Sequence, residues 1–327
     1  MRPFKSIKII MIIQILILIG GLLLILLGAN YLVEGSSSVA RKFGISEFVI
    51  GLTIVGIGTS TPEMVVSFLS SFQGKAEMAI GNVVGSNIFN ILMILGVTAL
   101  VAPLAITKSN LKKDIPINIG VTILLIILGM NFTIFGFGKD QLSRVDGIIL
   151  LALFAWYLWS SFKGDVADET KEDTAERRTS ISILMIIGGL AGLIIGGRLF
   201  VNSATELAKM FGVSDKFIAI TVMAAGTSMP ELATCVVAAA KGRGQLALGN
   251  VLGSNISNIL LILGGAAVIH PLSFSGMTVV DLGTILIAGI FIMLSAYMFR
   301  KKTLDRVEGT IFLLCEAAYM WYLIVNL

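Results

Sequence analysis

Two glutamates inside long apolar stretches are the residues best placed to do chemistry in this chain. Glu63 ends the segment GTSTPE at residues 58–63, and Glu231 ends GTSMPE at residues 226–231. A carboxylate is expensive to place at the depth of a membrane, and by default such a residue is a functional hypothesis. The pattern therefore predicts two equivalent acidic motifs with a functional role.

Oxygen donors accompany each glutamate at helical spacing. In the first copy, Thr59 and Ser60 precede Glu63 by four and three residues, so on a helix they share its face. Pro62 lacks a backbone donor and disfavours helix at Thr61. We therefore expect a broken helix whose freed carbonyl groups, around Thr59, can act as oxygen ligands.

A second polar motif follows each acidic one. It reads GNVVGSN at residues 81–87 and GNVLGSN at residues 249–255. Amide and hydroxyl side chains recur every four residues in both copies, at Asn82, Ser86 and Asn90 and at Asn250, Ser254 and Asn258. Carboxylate, hydroxyl, amide and backbone oxygens together suit Ca²⁺ and, with fewer ligands, Na⁺, but they do not suit Zn²⁺ or Cu²⁺.

A purely structural role is the alternative for some of these polar residues. Ser, Thr, Asn and Gly in membrane helices often serve close packing and interhelical hydrogen bonds. That alternative stays open for four residues of the second motif, which are Asn82, Asn87, Asn250 and Asn255. Glu316 lies inside the last apolar stretch without a polar motif around it, and we predict a structural hydrogen bond there.

Both motifs belong to an internal repeat. Residues 28–103 match residues 196–271 without a gap at an offset of 168, with 30 identical positions out of 76. Further along, RVDG at 144–147 resembles RVEG at 306–309 at an offset of 162. A duplicated polar motif at membrane depth points to a transport site between two half-molecules.

Composition identifies the class of protein. The chain is 56% hydrophobic and 13% charged, with a mean hydropathy of +0.95. Soluble domains carry about 25% charged residues, so this is an integral membrane protein. Loop lysines and arginines explain the net charge of +4, and no nucleic-acid partner is needed.

The residues needed for enzymatic chemistry are missing from the sequence. Cys235 and Cys315 are isolated, which gives no disulfide framework and no metal-ligand spacing, and His270 is the single histidine. A membrane Ser–His pair, a His–Glu zinc motif and paired catalytic aspartates are also lacking. We therefore expect a protein that is not an enzyme and holds no cofactor. We expect it to lie in the lipid bilayer without an obligatory protein partner.

Ten apolar stretches are long enough to cross a bilayer, for which about 20 residues are needed. They lie at 9–28, 47–72, 78–102, 115–136, 146–162, 181–200, 215–240, 246–269, 278–299 and 308–326. Because the second and third contain Gly, Pro, Ser and Asn, we expect them to be broken or unwound helices. Each half holds five spans, and since five is odd, the second half must enter the membrane from the opposite side.

The sequence thus predicts an all-α polytopic membrane protein with ten transmembrane helices in two inverted five-helix repeats. The repeats are 1–162 and 181–327, joined by the charged linker 163–180. The side of the membrane that holds both termini collects nine basic residues, and the other side collects fifteen. By the positive-inside rule the linker is cytoplasmic and both termini are extracellular in a cell-membrane protein.

At these motifs the chain resembles the alpha repeats of the cation/Ca²⁺ exchanger superfamily, and its prokaryotic sodium/calcium exchanger branch in particular. Two copies of G-T-S-x-P-E, each followed by G-N-x-x-G-S-N, carry the resemblance, which covers essentially the whole chain. It implies the sodium/calcium exchanger fold with a mid-membrane site formed by helices 2, 3, 7 and 8. It also implies rocking of helices 1 and 6 against the other eight.

The resemblance also implies a set of ion ligands. For Ca²⁺ these are the carboxylates of Glu63 and Glu231 and the carbonyls of Thr59 and Thr227. For flanking Na⁺ ions they are the side chains of Ser60, Ser86, Ser228 and Ser254 and the carbonyl of Ala224. Asn90 and Asn258 occupy the central position between the glutamates.

One position departs from the family pattern. Well-studied sodium/calcium exchangers carry an aspartate where this chain has Asn258, so both central residues here are amides, as is common in proton-coupled members. Two carboxylates then neutralise one Ca²⁺ or two Na⁺. We predict a secondary antiporter that exchanges Ca²⁺ for Na⁺ by alternating access without ATP. The first alternative is H⁺-coupled Ca²⁺ exchange. The second is a cation channel, which usually requires symmetric subunits around a continuous pore.

Overall fold

The computed structural model describes residues 3–136, 138–164, 178–212, 224–274, 277–298 and 302–325. In the first half the helices are α1 (Pro3–Phe43), α2 (Glu47–Ile50), α3 (Gly56–Thr59), α4 (Thr61–Phe72), α5 (Ala76–Phe89), α6 (Gly96–Val101), α7 (Ile115–Gly129), α8 (Asn131–Phe135) and α9 (Arg144–Gly164). In the second half they are α10 (Thr179–Met210), α11 (Ala224–Thr227), α12 (Met229–Ala240), α13 (Gly244–Ser257), α14 (Gly264–Ile269), α15 (Val279–Met298) and α16 (Arg306–Val325).

Wider π-helical turns interrupt several of these helices. They lie at Gly51–Val55, Asn90–Leu95, Asn110–Asp114 and Asn258–Leu263. The second of them joins α5 to α6 and the last joins α13 to α14, so that residues 76–101 and 244–269 each form one continuous span. Of the two predicted possibilities, a broken or an unwound helix, the third span is therefore not broken but contains a wider π turn. Its polar residues are accommodated by a π turn, a feature often found at functional sites.

The second predicted span is broken, as the sequence indicates. Residues 47–59 and 61–72 meet at Ser60 and are bent by 48°. Pro62 stands in the first turn after the break, where its missing amide proton costs nothing. The equivalent break in the second half separates α11 from α12 at Ser228, and the predicted residues 215–223 lie outside the described part of the chain.

The first and sixth helices extend beyond the predicted spans. The sequence places their ends at residues 28 and 200, whereas α1 runs to Phe43 and α10 to Met210. The length of the apolar stretch underestimates the length of each helix, because buried serines continue the helix beyond the apolar segment. Both helices stop just before a glycine in the left-handed region, Gly44 (φ +64°) and Gly212 (φ +78°), the usual signal for a helix C-terminus.

Six described helices are long and apolar enough to cross a membrane, or seven when the bent pair 47–72 counts as one. Met229–Ala240 and Val279–Ser295 are shorter apolar helices, and α7 contains 15 residues before a break at Met130. The fold is thus that of a polytopic helical membrane protein. The ten-span count and the linker, of which 165–177 lie outside the described residues, remain predictions.

Helices α1 and α10 pack against each other in antiparallel directions. Gly21 of α1 meets Gly196, Gly28 meets Gly189, and Gly35 meets Ser182. A Cβ at Gly28 would come within 2.8 Å of the Gly189 carbonyl oxygen, so glycine allows the two backbones to touch. Small residues at such contacts are typical of membrane helix pairs.

Two short strand pairs tie the halves together. Strand β1 (Leu104–Ala105) pairs with β4 (Thr303–Leu304), and β2 (Gln141–Leu142) pairs with β3 (Leu272–Ser273), both antiparallel. By the repeat offsets β1 corresponds to β3, and β2 to β4. Each pair therefore joins one strand of each half, and the two pairs are equivalent under exchange of the halves.

Candidate cation-binding site

The two acidic motifs place their glutamates at helix N-termini inside the protein. Glu63 lies in the first turn of α4 and Glu231 in the first turn of α12, and each side chain is only 1% exposed. The free amide groups and the dipole of a helix N-terminus stabilise a negative charge at this position. The helix breaks thus position both carboxylates at the ends of helices that stop inside the molecule.

At the proline break in the first half, a threonine hydroxyl satisfies a carbonyl that the proline leaves without an amide partner. The hydroxyl of Thr61 donates to the carbonyl oxygen of Gly58 at 2.7 Å, which is the carbonyl that an amide at Pro62 would have bonded in a continuous helix. Met229 stands at the equivalent position of the second half and has no hydroxyl. The breaks are equivalent in place but differ in how the freed carbonyl is satisfied.

Crossed hydrogen bonds join the two motifs. Ser60 Oγ donates to Glu231 Oε1 at 3.0 Å, and Ser228 Oγ donates to Glu63 Oε1 at 3.1 Å. Ser86 Oγ adds a longer contact to the same Glu63 oxygen at 3.5 Å. Each half therefore orients the glutamate of the other, and the two carboxylates belong to one site.

Four oxygen atoms at this site are buried without a hydrogen-bond partner among the described residues. They are Oε2 of Glu63, Oε2 of Glu231, Oδ1 of Asn90 and Oδ1 of Asn258. A buried acceptor without a donor costs about 1–3 kcal/mol. Two carboxylate and two amide oxygens are acceptors of the type that hard cations bind, so a bound cation could satisfy such atoms.

The amide of Asn258 is turned by a neighbour that sequence analysis did not assign to the site. Asn87 Nδ2 donates to the backbone oxygen of Asn255 at 3.2 Å, which leaves Asn87 Oδ1 as an acceptor. Asn258 Nδ2 donates to that Oδ1 at 2.9 Å. Because its nitrogen is held there, Asn258 directs its own Oδ1 away from Asn87.

The same arrangement exists around Asn90. Asn255 Nδ2 lies 3.4 Å from the backbone oxygen of Asn87, and Asn255 Oδ1 accepts from Asn90 Nδ2 at 3.0 Å. Asn87 and Asn255 thus make the interhelical hydrogen bonds that the structural alternative describes, and those bonds also orient the two central amides. Their position three residues before Asn90 and Asn258, on the same helical face, is the signal that sequence reasoning could have used.

Asn82 and Asn250 are engaged with other helices. Asn82 Nδ2 donates to the backbone oxygen of Glu63 at 3.1 Å and to Ser67 Oγ at 3.0 Å. Asn250 Nδ2 contacts Cys235 Sγ at 3.2 Å, and its Oδ1 accepts from Thr59 at 3.2 Å. The bonds of Asn82 and Asn250 are therefore of the kind expected for a purely structural role in helix packing.

The remaining predicted site residues line the two breaks. Thr59 turns its hydroxyl back to the Val55 carbonyl at 3.0 Å, and Ser254 Oγ donates to the Gly56 carbonyl at 3.2 Å. Gly56 is the repeat counterpart of Ala224, the first residue of α11, whereas half-buried Thr227 is the last residue of that helix. Thr59 and Ser254 thus lie beside the first helix break, and Ala224 and Thr227 belong to the short helix before the second.

Close backbone contact holds the second polar motif against the first break. Gly253 of α13 packs so tightly on Leu52 that a Cβ there would overlap the Leu52 backbone, and Gly249 meets the Phe48 carbonyl in the same way. Glycine is required at these two positions because any side chain would push α13 away from the site. The second copy of the motif, GNVLGSN, therefore combines contact glycines with site donors.

The site contains negative charge without a basic neighbour. The ion pairs Lys241–Glu34 and Arg243–Glu47 involve other carboxylates, and the side-chain partners of Glu63 and Glu231 among the described residues are serine hydroxyls. No cluster of three His, Cys, Asp or Glu side chains suited to a metal ion occurs among the described residues. The charge of two buried carboxylates must be balanced by cations or protons that enter from solution.

Glu316 lies outside this site, on α16, and is 3% exposed. Its Oε2 atom has no hydrogen-bond partner among the described residues. The hydrogen bond predicted for Glu316 is therefore not made by that oxygen.

Comparison with known proteins gives a consistent picture. The model of the family described as sodium/calcium exchanger protein matches residues 13–163 and 181–325. The sodium/calcium exchanger MaX1 of Methanosarcina acetivorans is 32% identical, with 94% of this chain and 97% of MaX1 covered. The uncharacterized membrane protein MJ0091 of Methanocaldococcus jannaschii is 36% identical over 90% of this chain and 92% of its own length.

Solved structures show the same similarity in three dimensions. A structure of the sodium-calcium exchanger NCX_Mj soaked with 10 mM Na⁺ and zero Ca²⁺ superposes with a TM-score of 0.82 at 33% sequence identity. The match covers 97% of this chain and 99% of the other. The similarity therefore extends over both halves of the chain.

Proposed function

Since the chain belongs to the sodium/calcium exchanger protein family, we propose that it exchanges Ca²⁺ for Na⁺ across a membrane by alternating access. The observation that carries the proposal is the set of four buried oxygens without partners, from Glu63, Asn90, Glu231 and Asn258. Their two carboxylates can balance one Ca²⁺ or two Na⁺. The two cargoes would then compete for the same oxygens, and competition for one site is the physical basis of exchange.

The ligand assignment follows the two motifs. Ca²⁺ would bind the carboxylates of Glu63 and Glu231, the central amide oxygens and the backbone carbonyls of Thr59 and Thr227. Na⁺ ions would bind beside it, near the serine hydroxyls at positions 60, 86, 228 and 254 and the carbonyl of Ala224. The crossed serine bonds to the glutamates support this assignment, because a serine that already contacts a carboxylate can share a cation with it.

The topology that suits this function is ten transmembrane helices in two inverted halves. The antiparallel packing of α1 on α10 supports inversion, since these two helices are repeat counterparts. The exchange-equivalent strand pairs β1–β4 and β2–β3 support it as well. We place the 163–180 linker in the cytoplasm and both termini outside, on the distribution of basic residues.

Movement of α1 and α10 together would open the site alternately to the two sides. Glycines line the contact between these two helices, so they can move as one body past the remaining helices. Gly58, next to the first break, faces Leu190 of α10, and Gly226, next to the second, faces Val201 of the same helix. A shift of α1 and α10 would therefore move the side chains of Leu190 and Val201 relative to the two helix breaks.

Proton-coupled Ca²⁺ exchange is the second candidate function. Both central residues are amides, and no basic side chain compensates the two glutamates among the described residues. Protons could then replace Na⁺ as the ions that neutralise the site after Ca²⁺ leaves.

Ca²⁺ uptake into proteoliposomes under separately imposed gradients decides between the candidates. We expect uptake driven by an outward Na⁺ gradient and only weakly affected by a pH gradient. Uptake that needs the pH gradient and ignores Na⁺ would assign proton coupling. Uptake down the Ca²⁺ gradient alone, without a counter-ion, would indicate a channel.

A further inference from the structure

Two ion pairs hold one turn of the second half against helices of the first. Lys241 Nζ lies 2.6 Å from Oε1 of Glu34, and Arg243 Nη1 lies 2.6 Å from Oε1 of Glu47. Both cations belong to the turn between α12 and α13, which reverses direction at Gly242 (φ +73°). Glu34 belongs to α1, the helix proposed to move, whereas Glu47 begins α2.

The Glu34–Lys241 pair is not reproduced on the other face of the protein. At the repeat offset of 168, Glu34 corresponds to Asn202 on α10 and Lys241 corresponds to Gln73 at the end of α4. Two neutral amides cannot form an ion pair. The second pair differs, because Arg243 corresponds to a lysine and Glu47 to an aspartate in the sequence.

Helix packing has the same asymmetry. Helix α1 packs along α12, whereas the equivalent helices α10 and α4, both within the described residues, make at most marginal contact. The face that carries the 241–243 turn is therefore the one on which these equivalent helices are packed together. We call it the latch face.

We propose that Glu34 and Lys241 form a one-sided latch that favours the state in which the latch face is closed and the site opens to the opposite face. The inference rests on the proposed alternating access, because α1 must leave α12 when the latch face opens. That movement separates the two charges. In the opposite transition, in which α10 would leave α4, the equivalent positions hold the neutral Asn202 and Gln73 and offer no such pair.

The strength of the latch is set by its exposure. The side chains of Lys241 and Glu34 are 30% and 27% exposed, so the pair is partly screened. Ion pairs of this kind change an equilibrium by about twofold to fivefold. A contact of that size biases the resting state without blocking the cycle.

Thiol labelling of two equivalent positions tests the latch without any measurement of ion flux. Ser37 is buried on α1 one turn beyond Glu34, and its repeat counterpart is half-buried Thr205 on α10. Ser37→Cys reports the latch face and Thr205→Cys the opposite face, in a background with Cys235→Ser and Cys315→Ala. The reagent is a water-soluble maleimide added to purified protein in detergent.

Removal of either charge should open the latch face. In Glu34→Gln and in Lys241→Gln, we expect labelling of Ser37→Cys to rise about twofold to fivefold and labelling of Thr205→Cys to fall. The charge-swapped double variant Glu34→Lys with Lys241→Glu should restore both rates.

A transplanted pair gives the sharper test. Asn202→Glu together with Gln73→Lys places a latch on the opposite face, and we expect Thr205→Cys to label more slowly and Ser37→Cys faster than in the parent. Glu206→Gln removes an exposed carboxylate from the same helix and serves as the matched control, with no change expected.

The outcomes separate the latch from the proposed function. Unchanged labelling at both reporters in the charge-removed and transplanted variants, with unchanged melting temperatures, would show that there is no latch. Wild-type Ca²⁺ uptake driven by Na⁺ would in that case still support the antiporter. Shifted labelling in a protein that exchanges no ions would instead retain the latch and reject the proposed function.

Discussion

Substitution of Asn87 by alanine isolates the orientation of a central amide from the charge of the site. Asn87 accepts a hydrogen bond from Asn258 at 2.9 Å and donates one to the Asn255 backbone at 3.2 Å. In Asn87→Ala the amide nitrogen of Asn258 loses its acceptor. It can then satisfy itself by turning toward the carboxylates, which removes Oδ1 from the cation and places a donor in its path.

The size of the effect follows from these bonds. Two buried groups lose their partners, each at a cost of about 1–3 kcal/mol, so the melting temperature should fall. Loss of one amide ligand at about 1.4 kcal/mol or more corresponds to at least about tenfold weaker Ca²⁺ binding. Isothermal titration of purified protein with Ca²⁺ measures the affinity, and a thermal melt measures the stability.

The repeat supplies both a replicate and a control for this prediction. Asn255→Ala should weaken Ca²⁺ binding in the same way, because Asn255 holds Asn90. Asn82→Ala removes bonds to Ser67 and to the Glu63 backbone and should lower stability with a smaller effect on affinity. Ca²⁺ affinity at the wild-type level in Asn87→Ala, alongside a lowered melting temperature, would refute the orienting role.

Three further outcomes follow from the same contacts. Asn258→Asp adds a third carboxylate, and like charges about 5 Å apart repel by roughly 3 kcal/mol at an effective dielectric of about 20. Na⁺-driven Ca²⁺ flux should therefore persist but depend more strongly on pH. A pH profile of the flux equal to that of the wild type would contradict this. Gly253→Ala forces a methyl group onto the Leu52 backbone, which should lower stability by about 1–3 kcal/mol, whereas Gly120→Ala, which meets open space, should be neutral in a thermal melt. A single cysteine in the linker 163–180 should resist an impermeant thiol reagent applied to intact cells, and labelling from outside would invert the proposed orientation.

The sequence alone was sufficient for the acidic motifs and their breaks. Pro62 predicts a broken helix because its ring removes a donor wherever it lies, and the structure bends there by 48°. A glutamate duplicated inside an apolar stretch points to a candidate site, because a carboxylate is costly at that depth in both copies.

Other features depend on contacts between distant segments and were not predictable locally. Ser60 bonds Glu231 across 171 positions, and no pattern within either motif says that the two motifs face each other. The third span was expected to be broken or unwound, and the structure shows one continuous span with a π turn at Asn90. From the sequence, Asn87 could equally be a packing residue, and its orienting role depends on the hydrogen bond that it accepts from Asn258.

The central claim is that Glu63 and Glu231 together bind the transported cation. Glu63→Gln and Glu231→Gln each keep the shape of the side chain and remove one of the two charges that balance Ca²⁺. Na⁺-driven ⁴⁵Ca²⁺ uptake into proteoliposomes, at matched protein incorporation, measures the consequence directly. We predict that uptake is abolished in both variants while the protein remains folded and inserted. Uptake near the wild-type rate in either variant would contradict the account of the site.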